Sequence, residues 1–181
     1  MGKASVFEKV PHDIKLFLIR AIIVFIAWQA LYRFVLAPAR VPDRALTNLT
    51  CGATAIALSI FYHNVSAVYT PAKEIKNAYI FKDGRRVIAI ADPCNALDLY
   101  VLYAAFLFCF PGTARRRLLF LVTGIPAIFI ANIIRCAILT WIALGHKDWF
   151  NISHHFIFTT LMYLFIFYCW VLYTKKASYA G

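Results

Sequence analysis

The chain has 181 residues, of which 62% are hydrophobic and only 15% charged, with a net charge of +11. Soluble domains run at about 45–50% apolar and about 25% charged, so the composition excludes a soluble globule, a disordered chain and a repeat solenoid. It leaves an all-α integral membrane protein in one domain. The basic residues stand at the ends of apolar runs, where they anchor helices among anionic head groups; the expected partner is therefore membrane lipid and not nucleic acid.

A helix needs about 20 apolar residues to cross the hydrocarbon, and five stretches are read as spans: 16–37, 45–68, 96–110, 118–144 and 156–173. Pro38 and Pro42 stop the first, Pro71 follows the second, Pro111-Gly112 closes the third and Gly145 the fourth. The N-terminus has no small-x-small cleavage site followed by a mature domain, so the first span is expected to be retained. Between the second and third spans, Asp83-Gly84 lies among β-branched and aromatic residues, the signature of a β-hairpin. A short extramembrane hairpin is expected over 77–91. Its Lys82, Arg85 and Arg86 are read as a solvated charged turn, with a substrate-facing rim as the alternative.

Charge gives conflicting orientations. Arg115-Arg116-Arg117 and Lys175-Lys176 mark cytoplasmic ends, which with five spans puts the N-terminus outside. Lys3, Lys9, Lys15 and the basic residues of the hairpin region ask for the reverse. The compact tri-arginine turn is given the greater weight.

Ionisable residues within or at the rim of membrane spans are the default functional candidates. Arg135 sits deep in the fourth span, and an arginine there costs about 2.5–3.5 kcal/mol on insertion scales. Asn132 lies three residues earlier on the same helix face. Of five cysteines, Cys51, Cys109, Cys136 and Cys169 fall in apolar runs, where a free cysteine is a small hydrophobe. Cys94 alone has polar surroundings, in Asp92-Pro93-Cys94-Asn95-Ala96-Leu97-Asp98. A place in the first turn of the third helix would favour its thiolate. His154 and His155 open the fifth span, whereas His12, His63 and His146 have no polar company of note.

These candidates converge. Arg135 is 17 residues past Leu118, or about 26 Å of helix, which returns it to the membrane face where Cys94 begins the third span and the histidines begin the fifth. A thiol, an imidazole and a guanidinium at one rim describe a nucleophile, its base and an oxyanion or substrate clamp.

In order and spacing, Pro93-Cys94-Asn95-Ala96-Leu97, Asn132-Ile133-Ile134-Arg135 and His154-His155 resemble the motifs of the exosortase/archaeosortase family of membrane cysteine transpeptidases. The likeness covers about 91–173 and is to the short members. It implies a multi-pass protein of the plasma or bacterial inner membrane with its site on the extracytoplasmic side. Its substrates would be exported proteins with a C-terminal sorting signal of motif, transmembrane helix and basic tail. Cleavage would pass through a thioester to an acceptor, an extracellular polysaccharide or lipid among them, or to water. The resemblance makes Cys94 the nucleophile, Arg135 the oxyanion or substrate clamp, and one histidine the base, with His155 slightly preferred because Thr159 stands four residues on. Asn132, Asn95 and Asp98 are the expected substrate-binding residues. No cofactor or metal enters this chemistry. Where the family often has Cys-x-Gly, this chain has Ala96, which a left-handed backbone would tolerate badly; an earlier helix start or a different local geometry is expected.

Two other classes are weighed. In a non-catalytic assembly subunit for protein sorting or polysaccharide export, Arg135 would clamp helices and Cys94 would be incidental. A Cys94–His154–His155 metal site asks two adjacent histidines to ligate one ion, which is strained. Neither GxSxG nor HExxH occurs, and there is no CxxC pair, so serine-protease, zinc-protease and thiol-oxidoreductase readings have no support.

Overall fold

The computed structural model describes residues 12–69, 77–145 and 147–178. Most of them are helical, and three helices are long and apolar enough to cross a membrane: Ile14–Ala39, Ala114–Gly145 and Asp148–Lys175. The first comprises α1 (His12–Leu31), a π turn (Tyr32–Leu36) and a final turn (Ala37–Ala39) that ends at Arg40 in a left-handed conformation, φ 52°.

The expected second span is divided in two. α2 (Asp43–Ser59) is a 17-residue helix, and Val65–Tyr69 is a strand, β1. Asn64, at φ 59°, turns the chain between them. α2 buries Thr47, Thr50, Cys51, Thr54 and Leu58 on one face and exposes Leu49 and Ile56 on the other. The buried face thus mixes threonine hydroxyls with Cys51, Ala55 and Leu58. The Thr54 hydroxyl donates to the Thr50 carbonyl at 2.7 Å, so this buried hydroxyl is satisfied within its own helix.

The hairpin forms where expected, as β2 (Asn77–Lys82) and β3 (Arg85–Ala91), with Asp83 and Gly84 both at positive φ, as a tight two-residue turn requires. β1 adds a third strand, giving an antiparallel sheet in the order β1-β2-β3 with a bulge at Ile80/Phe81. Ala78, Ile80 and Ile90 project from its inner face onto Cys51 and Leu58 of α2 and Cys136.

A 3-10 turn, Asp92–Cys94, leads to α3 (Leu97–Cys109), a 13-residue apolar helix. α4 (Ala114–Gly145) returns, α5 (Lys147–Ile152) is short, and a π turn (Ser153–Ile157) opens α6 (Phe158–Ser178). Leu99, Tyr103 and Leu107 of α3, Ile128 of α4, and Met162, Ile166 and Tyr173 of α6 form the bundle core. Gly124 lets α4 approach the Tyr103 ring, whose hydroxyl donates to the Phe120 carbonyl at 2.9 Å. At the far end, Arg117 Nε donates to the Leu107 carbonyl at 3.0 Å, closing the last turn of α3.

Candidate active site

β3 feeds directly into the turn that carries Cys94, and buried polar contacts fix that turn. Arg40 grips Asp92 with two charge-assisted bonds, Nε to Oδ2 at 3.0 Å and a terminal nitrogen to Oδ1 at 2.7 Å. The Thr47 hydroxyl donates to the same carboxylate at 2.8 Å. The Asn95 amide donates to Asp43 Oδ1 at 2.9 Å, and its carbonyl oxygen accepts the Leu97 N–H at 2.8 Å. All five of these side chains are buried. Buried charges need such pairing to offset desolvation, and here the pairing ties the stretch between α1 and α2, and the start of α2, to the Cys94 turn.

Ala96 does adopt the left-handed conformation, at φ 65°, ψ 16°. An L-residue there costs about 1–2 kcal/mol, and the buried Asn95 bonds on its N-terminal side help hold it. Contrary to the expectation of an earlier start, the helix begins after Ala96, at Leu97. Cys94 thus lies one turn before α3 rather than in its first turn.

Four of the expected residues meet. Cys94 Sγ lies 3.5 Å from His154 Nε2. The Asn132 amide donates to the Cys94 carbonyl at 2.9 Å, and its own carbonyl oxygen accepts from Arg135 at 3.3 Å, the i,i+3 pairing that the sequence spacing implies. Arg135 Nε is buried with no hydrogen-bond partner among the described residues, leaving a donor for an incoming acceptor. His154 occupies the π turn, its ring stacked on Phe150 (centroids 5.7 Å, 12°), and the Thr159 hydroxyl donates to its backbone carbonyl at 3.2 Å.

Of the two histidines, His154 and not the preferred His155 is the one the structure brings to the thiol. His155 is exposed and meets His154 edge-on at 4.8 Å, while His154 faces the thiol. In the π turn the backbone winds wider than an α-helix, so α-helical spacing to Thr159 does not identify the inward ring. Asn95 is likewise not a free substrate contact, since its amide is engaged internally. Asp98 is exposed in the first turn of α3, where it lines a cavity of about 280 Å³ with Arg135, Tyr32, Thr159 and Tyr163. On the opposite side of Arg135, Cys94 and His154 line a crevice of about 20 Å³ with Ile88, Ala89, Ile90 and Phe150. Three of the other four cysteines, Cys51, Cys109 and Cys136, are buried, and burial pushes the Cys51 thiol up to about 11, while Cys169 is half-buried among the residues packed on the bundle core. Among the described residues no three His, Cys, Asp or Glu side chains gather as a metal site. His146 and the side chain of His12 lie outside the described residues, and His63 is exposed in the turn before β1.

Arg40, Asp43, Thr47 and Asp92 are the site residues that sequence reasoning passed over. Their signal was present: Arg40 and Asp92 each stand within two residues of a proline, at the junction of an apolar run with the next element, where an ionised side chain needs a partner. No family model, curated protein or solved structure matches the chain.

Proposed function

We propose that the protein is an exosortase-like membrane cysteine transpeptidase acting on exported proteins with a C-terminal sorting helix. The observation that carries this reading is the 3.5 Å approach of Cys94 Sγ to His154 Nε2 beside the Arg135 guanidinium. His154 takes the thiol proton, and the thiolate attacks the scissile carbonyl carbon. Arg135 donates to the oxyanion that develops. The imidazolium returns the proton to the leaving amine as the C–N bond breaks, leaving a thioester on Cys94. In the second half, His154 takes a proton from an acceptor hydroxyl, amine or water, whose heavy atom attacks the thioester carbon. The C–S bond breaks, and His154 reprotonates the thiolate.

In this reading α1, α3, α4 and α6 cross the bilayer, and both termini face the cytoplasm. α2 lies beside the sheet, whose open strand edges do not belong in hydrocarbon.

The test is processing of a precursor carrying a motif, a transmembrane helix and a basic tail, coexpressed with wild type, Cys94→Ala or Cys94→Ser and followed by its size on a gel. Unprocessed precursor with both variants, each still membrane-inserted, is the expected result. Normal processing with Cys94→Ala would leave the protein a non-catalytic assembly subunit.

A further inference from the structure

A second groove adjoins the thiol crevice from outside the bundle. A groove of about 570 Å³ runs between the sheet and the α4–α5 corner, lined by Tyr79 on β2, Arg86, Val87, Ile88 and Ala89 on β3, and Phe150 on α5. Ile88, Ala89 and Phe150 also line the crevice that holds Cys94 and His154, so groove and crevice adjoin across one shared wall. Successive side chains of a strand point to opposite faces. Four consecutive residues lining one groove therefore bring it along the strand's edge, and Asn77 and Tyr79 of β2 extend it over the outer face of the sheet. β3 is an edge strand of the three-stranded sheet, and such an edge presents unpaired N–H and C=O groups ready to accept a further strand. The next residues after β3 are Asp92, Pro93 and Cys94, so a chain laid along this edge is guided to the nucleophile.

The groove also has a charge preference. Arg86 is exposed with its guanidinium 5.3 Å over the Tyr79 ring, and Arg85 beside it is exposed as well. Among the described residues neither forms an ion pair with a carboxylate, and none of the described residues lining the groove is acidic.

We propose that the free edge of β3 docks an extended, acidic peptide segment as a fourth strand and thereby delivers the scissile bond to Cys94. This rests on the reading of the site as peptide-cleaving. The side-chain donors of Arg86 engage a carboxylate of the segment, the main chain of β3 supplies register, and the Phe150 ring at the junction of groove and crevice moves aside for the segment's end.

Occupation of the groove shields the thiol, which gives a test that needs no turnover. Cys94 alkylation by iodoacetamide is timed by mass spectrometry on the full-length protein in neutral detergent, with the peptide Ac-Val-Glu-Val-Glu-Val-amide, its lysine counterpart, and a glutamate version N-methylated at alternate residues. The glutamate peptide is expected to slow alkylation about five-fold or more, and the other two less than about two-fold, because strand addition draws on main-chain hydrogen bonds. Arg86→Glu, a change at an exposed side chain, is expected to abolish the protection. A photo-crosslinking residue replacing Val87 is expected to capture the peptide, and one replacing Val68 on the opposite edge strand is not. Equal protection by the lysine or N-methylated peptide, protection that survives Arg86→Glu, or capture at Val68 alone would overturn the proposal. So would Arg86-dependent protection by phosphatidylglycerol with no peptide present, which would make the groove a lipid-facing surface. Precursor processing lost in Cys94→Ala would stand even if no peptide protects, and protection would stand even if no precursor is cleaved, so the two readings fail separately.

Discussion

At the level of single residues, the two adjacent histidines divide their surroundings sharply. His154 has a thiol at 3.5 Å, an aromatic ring stacked behind it and a hydroxyl on its carbonyl; His155 has solvent and the edge of its neighbour. A general base or acid is worth about 10²–10⁴ in rate. His154→Gln is accordingly expected to reduce precursor processing by about that factor, and His155→Gln to leave it within a few-fold. Initial rates of precursor loss in membranes, normalised to the amount of inserted protein, check both variants. A large loss in His155→Gln with little change in His154→Gln would show that the ring facing the thiol is not the proton carrier.

At the level of elements, Gly124 sets the distance between α3 and α4. A Cβ built there would come within 2.2–2.5 Å of the hydroxyl, Cζ and Cε1 of Tyr103. That ring is fully buried and held by its bond to the Phe120 carbonyl, so it has little room to yield. Overpacking of this kind costs about 1–3 kcal/mol, and about 2–4 °C of Tm per kcal/mol is expected for a chain of this size. Gly124→Ala should therefore melt several degrees below wild type in detergent, read by near-UV circular dichroism, with the Cys94 turn itself unaltered. An unchanged Tm would mean that the helices part at no cost.

The first, third, fourth and fifth expected spans fall on helices, three of them long and apolar enough to cross a membrane and the third a shorter one of 13 residues, because a helix satisfies the backbone of an apolar run within itself. The second did not fall so, for a specific reason. A short apolar run reads alike as helix or strand, and 60–69 continues the apolar character of α2 while pairing as β1. His63-Asn64 and the Thr47-Thr50-Thr54 stripe were the marks of the division. The thiol, imidazole, amide and guanidinium were legible because each is a polar group where the membrane tolerates few. The Arg40–Asp92 clasp was not, since it joins residues 52 apart in sequence through a fold the spacing does not encode.

Across the whole molecule, the contacts of α1 sort the basic residues between the two ends of the bundle. Phe17 of α1 packs edge-on against Phe106 and Phe110 at the C-terminal end of α3, with centroids at 5.6 and 6.3 Å. The start of α1, with Lys15, therefore lies at the same end as Arg115–Arg117 and Lys175. The other end of α1 reaches Asp92 through Arg40, at the site. From Arg117 to Arg135 along α4 is about 27 Å at the usual rise, close to the hydrocarbon thickness of about 30 Å. Arg135 therefore need not sit at the bilayer centre. Lys15, Arg115–Arg117 and Lys175 share one end while Arg40, Arg85 and Arg86 stand at the other, so labelling, and not the positive-inside rule, decides which end is cytoplasmic. In a Cys94→Ala background, Asp83→Cys in the hairpin turn should react with a membrane-impermeant maleimide in intact cells. Thr113→Cys, next to the tri-arginine turn, should react only after permeabilisation. The reverse pattern would place the thiol in the cytoplasm, where exported proteins have not yet arrived, and would remove the sorting reading whatever the chemistry of Cys94.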